Sequence, residues 1–139
     1  MNKHILLITI DSLRADHVGC YQRMDTRTPN LDAFASTGVR FVQHLSSLAT
    51  TLPSHTSLLT GCVPSVHGVN WNGVQTPRRR RTLPEIAATE GYETTAITSW
   101  GGFQNQGGLG FDAVHSEAGA GADENRGDET IERVEAWIG

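Results

Sequence analysis

Thr51 stands where a side-chain hydroxyl could be turned into a nucleophile. The stretch from Thr50 to Gly61, Thr-Thr-Leu-Pro-Ser-His-Thr-Ser-Leu-Leu-Thr-Gly, puts that hydroxyl two residues before Pro53. Proline suits the first turn of a helix, where its missing N–H costs nothing. Leu58 and Leu59 then mark a buried face, and Gly61 supplies a C-terminal stop. Thr51 is thereby predicted at a helix N-terminus, among unpaired N–H groups and the positive end of the dipole. Such a position suits an anion, or a hydroxyl being converted into one. The same pair also has a local use, because Thr50 and Thr51 are good helix caps.

Asp11 is the second residue with chemistry to offer. It follows Ile5–Ile10 (Ile-Leu-Leu-Ile-Thr-Ile), a nearly continuous apolar run that reads as a parallel strand covered on both faces. Ligands of open α/β sheets bind at the carboxyl edge, and a carboxylate there is a candidate ligand for a hard cation. Alternatively, Asp11 caps the turn Asp-Ser-Leu-Arg-Ala-Asp-His that follows.

The elements that must position these groups can be read in order. Thr28-Pro29 opens a helix with Leu31, Phe34 and Ala35 on one face and Gly38 as its stop. Val39–Val42 alternates as a short strand, and residues 64–72 carry the Gly, Pro and Asn of irregular chain. The run Arg78–Arg81 could attract an anion, although charge runs usually form solvated loops. Thr82-Leu83-Pro84-Glu85 has capping-box spacing and starts a helix through about Thr89, stopped by Gly91. Glu93–Ser99 reads as a strand. Residues 101–127 hold 8 of the chain's 15 glycines and are expected to be mostly loop. Asp128 is expected to cap a final helix with Ile131, Val134 and Ile138 on one stripe. The order strand, helix, strand, helix, helix, strand, helix predicts an α/β fold, a parallel sheet with helices on both faces.

Composition narrows the function classes. At 139 residues the chain is one domain's worth, 1–139, and long enough to bury a core. A net charge of −4 argues against nucleic acid, which calls for a basic surface. Cys20 and Cys62 form neither a disulfide framework nor a zinc pattern, so free thiols in a reducing compartment are expected. No apolar run nears the roughly 20 residues that span a bilayer, so no membrane association is expected. The run after Lys3 is too short for a signal-peptide core, which places the expected location in the cytoplasm.

Four passages carry a family resemblance: Ile5–Tyr21 (ILLITIDSLRADHVGCY), Thr28–Phe41 (TPNLDAFASTGVRF), Thr51–Gly68 (TLPSHTSLLTGCVPSVHG) and Leu83–Ala96 (LPEIAATEGYETTA). Gly108–Asp112 (GLGFD) adds a fainter one. Together they resemble the N-terminal part of the sulfatase family, within the alkaline-phosphatase-like superfamily. The resemblance implies an α/β sandwich, here apparently truncated, and a hydrolase of sulfate or phosphate esters acting on a small anionic substrate. It further implies that Asp11 and Thr51 bind a divalent cation (Ca, Mg, Mn or Zn) and that Thr51 is the nucleophile. Related phosphonate and phosphodiester hydrolases place an asparagine downstream that donates to a non-bridging oxygen. Asn72, 21 positions after Thr51, stands there, with Asn70 as a neighbouring alternative. Turn formation is the structural reading of both asparagines.

The departures from the family pattern redirect the chemistry. Sulfatases carry C/S-x-P-x-R, whose first residue is oxidised to formylglycine; here the signature is Thr51-Leu52-Pro53-Ser54-His55. Threonine's Cβ methyl bars oxidation to an aldehyde, so no formylglycine is expected and a Thr51 ester must be cleaved by water. His55 replaces the arginine that steadies the nucleophile with a shorter, titratable donor. Ser99-Trp100-Gly101 replaces the Lys-Trp-His block, and Ser12 stands where many sulfatases have a second metal aspartate. The family's other metal ligands lie in later sequence. Two expectations therefore stand side by side: a threonine-dependent ester hydrolase, or a non-catalytic α/β module that pairs with itself or with a complementing chain through an open sheet edge.

Overall fold

The computed structural model describes residues 4–21, 26–73, 80–102, 107–116 and 127–138. Arg78 and Arg79 of the arginine run, and residues 103–106 and 117–126 of the glycine-rich stretch, lie outside them. The chain forms two compact units, Met1–Leu45 and Ser46–Gly139.

In the first unit, two short 3-10 turns (Ala15–His17 and Gly19–Tyr21) precede helix α1 (Pro29–Ser36). Pro29 takes the first helical position, as its spacing predicts. The Thr28 hydroxyl does not cap the helix. It accepts the Gly19 N–H (2.8 Å) and donates to Asp32 Oδ1 (3.0 Å), which also accepts the Cys20 N–H at 2.6 Å. This network ties the turn to α1. Thr37 is the C-cap and its N–H closes on the Phe34 carbonyl at 3.1 Å, so the helix ends directly before Gly38, where the sequence puts its stop. Leu31 and Phe34, which share one face of the helix, are exposed.

Neither strand predicted for this unit is present. Ile5–Ile10 and Val39–Val42 lie outside any strand, and Ile8 is 72 % exposed. A continuous apolar strand exists only where neighbours pair with its backbone and cover both faces. Among the described residues the sheet has two strands, and both are in the second unit. Among the described residues five α-helices and a two-stranded parallel sheet are present, and the expected sandwich is not formed there.

The second unit begins with α2 (Thr51–Thr60), followed by the short α3 (Pro64–His67) where irregular chain was expected, and α4 (Leu83–Thr89). Strand β1 (Thr95–Ile97) falls inside the predicted Glu93–Ser99, and α5 (Gly127–Ile138) matches the predicted last helix. Ile131 and Ile138 of its apolar stripe are exposed, and Val134 is half-buried. Strand β2 (Ala113–His115) arises in the stretch read as loop; a single β-branched residue among glycines gave it no periodic signal. It pairs in parallel with β1, Thr95 opposite Ala113 and Ile97 opposite His115.

Leu109, in the crossover between the strands, packs on Leu59 of α2, with Trp100, Phe111 and Val114 around them. The Thr82 hydroxyl donates to the Leu109 carbonyl (2.8 Å), while the Thr82 N–H donates to Glu85 in the predicted capping contact (2.8 Å). Gly110 is held to glycine here. Its φ is +87°, and a Cβ would come within 2.5 Å of the Glu85 side chain. Both cysteines are free and half-buried. No described helix is long and apolar enough to cross a membrane.

Candidate active site

Helix α2 is the scaffold of the site. Thr50 is its N-cap with extended backbone (φ −117°, ψ 143°), and Thr51 is its first residue. Pro53 sits in the first turn, where no intrahelical donor is lost. The first ladder bond runs from the Ser54 N–H to the Thr50 carbonyl at 3.1 Å. Gly61 ends the helix in the left-handed region (φ 65°), as its position predicts. Leu52, Pro53, Thr56, Ser57 and Leu59 are buried. Leu58, expected with Leu59 on the inner face, is exposed. The buried Thr56 hydroxyl donates to the Leu52 carbonyl four residues back (2.8 Å), so it enters the core with a partner.

The cap itself comes from elsewhere. Thr50 makes no side-chain capping bond. Instead Asn72 Oδ1 accepts the Leu52 N–H at 3.0 Å. The carboxamide thus sits at the helix start, one residue from Thr51. With Oδ1 facing a donor, its Nδ2 carries the two remaining donors. Asn70, the sequence alternative, is exposed and has no such contact with α2 among those resolved for the described residues.

His55 is tied to the same turn. Its Nδ1 lies 2.8 Å from the Thr51 carbonyl oxygen. A carbonyl can only accept, so Nδ1 carries a proton and donates, and the ring's basic lone pair in its neutral form is on Nε2. The side chain therefore clasps the backbone of Thr51 from one turn along the helix.

A second histidine, which no sequence signal singled out, lies beneath. His67 ends α3 and is 3 % exposed. The Val69 N–H donates to its Nδ1 (3.1 Å), so Nε2 holds the proton and donates to Ser57 Oγ at 2.8 Å. With Nε2 donating, His67 cannot be the base that activates Ser57, and the pair is a structural clamp. Burial pushes the His67 pKa below its ordinary 6.5, which keeps the ring neutral. Its signal in the sequence was faint: a histidine before a glycine, ten residues from a serine on a helix.

Asp11 lies in the first unit, exposed in a turn with Ser12 at φ 57°, rather than at the end of a strand. Hard divalent cations take about six oxygen ligands. Among the described residues no group of three His, Cys, Asp or Glu side chains could hold a metal.

Comparison with known proteins places the chain in a family. The family model described as Sulfatase matches residues 3–133. Human arylsulfatase D is 33 % identical over 108 residues, 70 % of this chain and 18 % of that protein. Human arylsulfatase A is 36 % identical over 104 residues, covering 70 % of this chain and 20 % of the relative. Human steryl-sulfatase is 31 % identical over 108 residues, again 70 % of this chain and 18 % of the relative. No solved structure matches. The chain belongs to the sulfatase family, and it spans about a fifth of the length of these relatives.

Proposed function

We propose that this chain carries the nucleophile-bearing part of a metal-dependent sulfatase-family hydrolase that cleaves sulfate or phosphate esters through Thr51. The observation that carries this reading is the placement of Thr51 as the first residue of α2, with the Asn72 carboxamide on the adjacent Leu52 N–H. Thr51 Oγ forms the bond to sulfur or phosphorus as the bond to the ester oxygen breaks. The alcohol or phenol departs with the proton that Thr51 gives up. Asn72 Nδ2 donates to a non-bridging oxygen, and the helix N-terminus favours the negative charge gathered there. Water then attacks the Thr51 ester, releasing inorganic sulfate or phosphate and restoring the hydroxyl. His55 holds the Thr51 backbone in place throughout.

The test is turnover of 4-nitrophenyl sulfate and 4-nitrophenyl phosphate by the full-length protein with Ca²⁺, Mg²⁺, Mn²⁺ or Zn²⁺. Thr51→Ala should lower kcat/KM by at least about 1,000-fold, as removal of a nucleophile does. An adduct trapped on the Thr51 peptide would support the covalent route. No turnover under any metal, or full activity in Thr51→Ala, overturns it.

One observation favours a second reading, a non-catalytic module that pairs with itself or with another chain. Apolar side chains of the first unit, among them Ile8, Phe34 and Val39, are exposed to an extent that further polypeptide would relieve. Light scattering that finds only monomer at high concentration, with no partner co-purifying, would sink it.

A further inference from the structure

We propose that His67 is a positioning residue for the α2 active site, setting the register of the segment that delivers Asn72 to the start of the helix. The inference rests on the reading of Thr51 and Asn72 given above. The segment after α3 turns at Gly68 and returns alongside α2. It is fastened at two points. His67 meets Ser57 near the far end of the helix, and Asn72 meets Leu52 at the near end.

Between them Val69 is fully buried, as is Leu52. The imidazole bridges both elements, because Nε2–H donates to Ser57 Oγ while Nδ1 accepts the Val69 N–H. One ring thus fixes where the return segment begins and how its first residue is oriented. Three residues further on, the chain must place a carboxamide within hydrogen-bond reach of one particular amide. A slip of one residue at His67 would move Asn72 away from Leu52, and with it the donors that face the transferred group. Ser57 and His67 touch no substrate in this arrangement. Their effect reaches the chemistry through the backbone.

The two halves of the ring can be separated by substitution. His67→Asn keeps an acceptor near the Nδ1 position for the Val69 N–H and loses the reach to Ser57. His67→Gln keeps a donor near the Nε2 position for Ser57 and loses the Val69 acceptor. The primary readout is amide hydrogen exchange at Leu52 in the full-length protein. Loss of the Asn72 bond, measured first in Asn72→Ala, should speed Leu52 exchange about tenfold, the size expected for one hydrogen bond at a partly buried amide.

His67→Gln and His67→Asn should each reproduce most of that acceleration at Leu52 while amides of α4 and α5 keep their protection, which also shows that the variants are folded. In 4-nitrophenyl ester assays the same variants should lower kcat several-fold with little change in KM. Leu52 protection at the wild-type level in both folded variants overturns the inference, whatever the activity. Accelerated Leu52 exchange together with no turnover by any version of the protein upholds the positioning role and overturns the hydrolase reading instead. Global loss of protection in both variants, with Leu52 no more affected than α4, would mark His67 as a general core residue and also overturn it.

Discussion

Helix α2 and the run Ile5–Ile10 are both rich in large aliphatic side chains, yet they end in opposite environments. Leu52, at the start of α2, is fully buried; Ile8, in the middle of the run, is 72 % exposed. The helix satisfies its backbone along its own length, borrows one side chain for its first turn, and packs against α3, which begins a few residues after it ends. A strand has no such independence, because both its hydrogen bonds and its covered faces must come from other segments. Hydrophobicity sets what a residue would gain by burial. The presence of partners decides whether it is buried.

That contrast can be tested from its strong side downward. Leu52→Ala should cost about 2–5 kcal/mol of stability, the range for truncating a fully buried leucine, measured by denaturant unfolding. Gly61→Ala should cost about 1–2 kcal/mol, because a Cβ is disfavoured at φ 65° although nothing crowds it there. Asn72→Ala should cost about 1 kcal/mol as a lost helix cap, visible in the same titration.

The pH dependence has a definite sign. The buried His67 resists protonation, so below about pH 6.5 the unfolded chain binds a proton that the folded chain does not. Stability should be level above that pH and fall as the pH drops from 6.5 toward the lowered folded value. His67→Gln should remove this part of the acid sensitivity. Smallest of all, Ile8→Ala should change stability by no more than about 0.5 kcal/mol, as at an exposed site. A loss matching that of Leu52→Ala would show that the run is covered in the protein and erase the contrast.

What could be foreseen follows the same physical line. α1, α2, α4 and α5 announce themselves through prolines, caps and glycines that act within a few residues, and all four are present. β1 falls within its predicted stretch. Ile5–Ile10 and Val39–Val42 have equally clear patterns, but a strand's fate is written in segments far away. β2 is too short and too glycine-flanked to show a period, and it owes its place to pairing with β1. In the site, the start of α2 at Thr51 was legible from Pro53. Asn72 was preferred over Asn70 through the family resemblance alone, because which asparagine meets the helix depends on how the chain turns after α3. His67 gave only a faint signal for the same reason: its two partners are set by tertiary packing.

Thr94 and Asp112 lock the start of the sheet, which governs how it can go wrong. Asp112 Oδ2 accepts both the Thr94 N–H (2.9 Å) and its hydroxyl (2.8 Å), and the Thr94 hydroxyl accepts the Asp112 N–H in return (3.0 Å). These contacts hold the Asp112 carboxyl below the usual carboxylate range. Three residue pairs are a short ladder, and a shift of one would turn Ala96 and Val114 to the opposite faces. The lock sits immediately before both strands and lets them meet in one alignment only. It works as a zipper's bottom stop, and a chain without it, as in Asp112→Ala, would present two sticky strand edges free to choose other partners, so that its failure would be seen as aggregation before it was seen as unfolding.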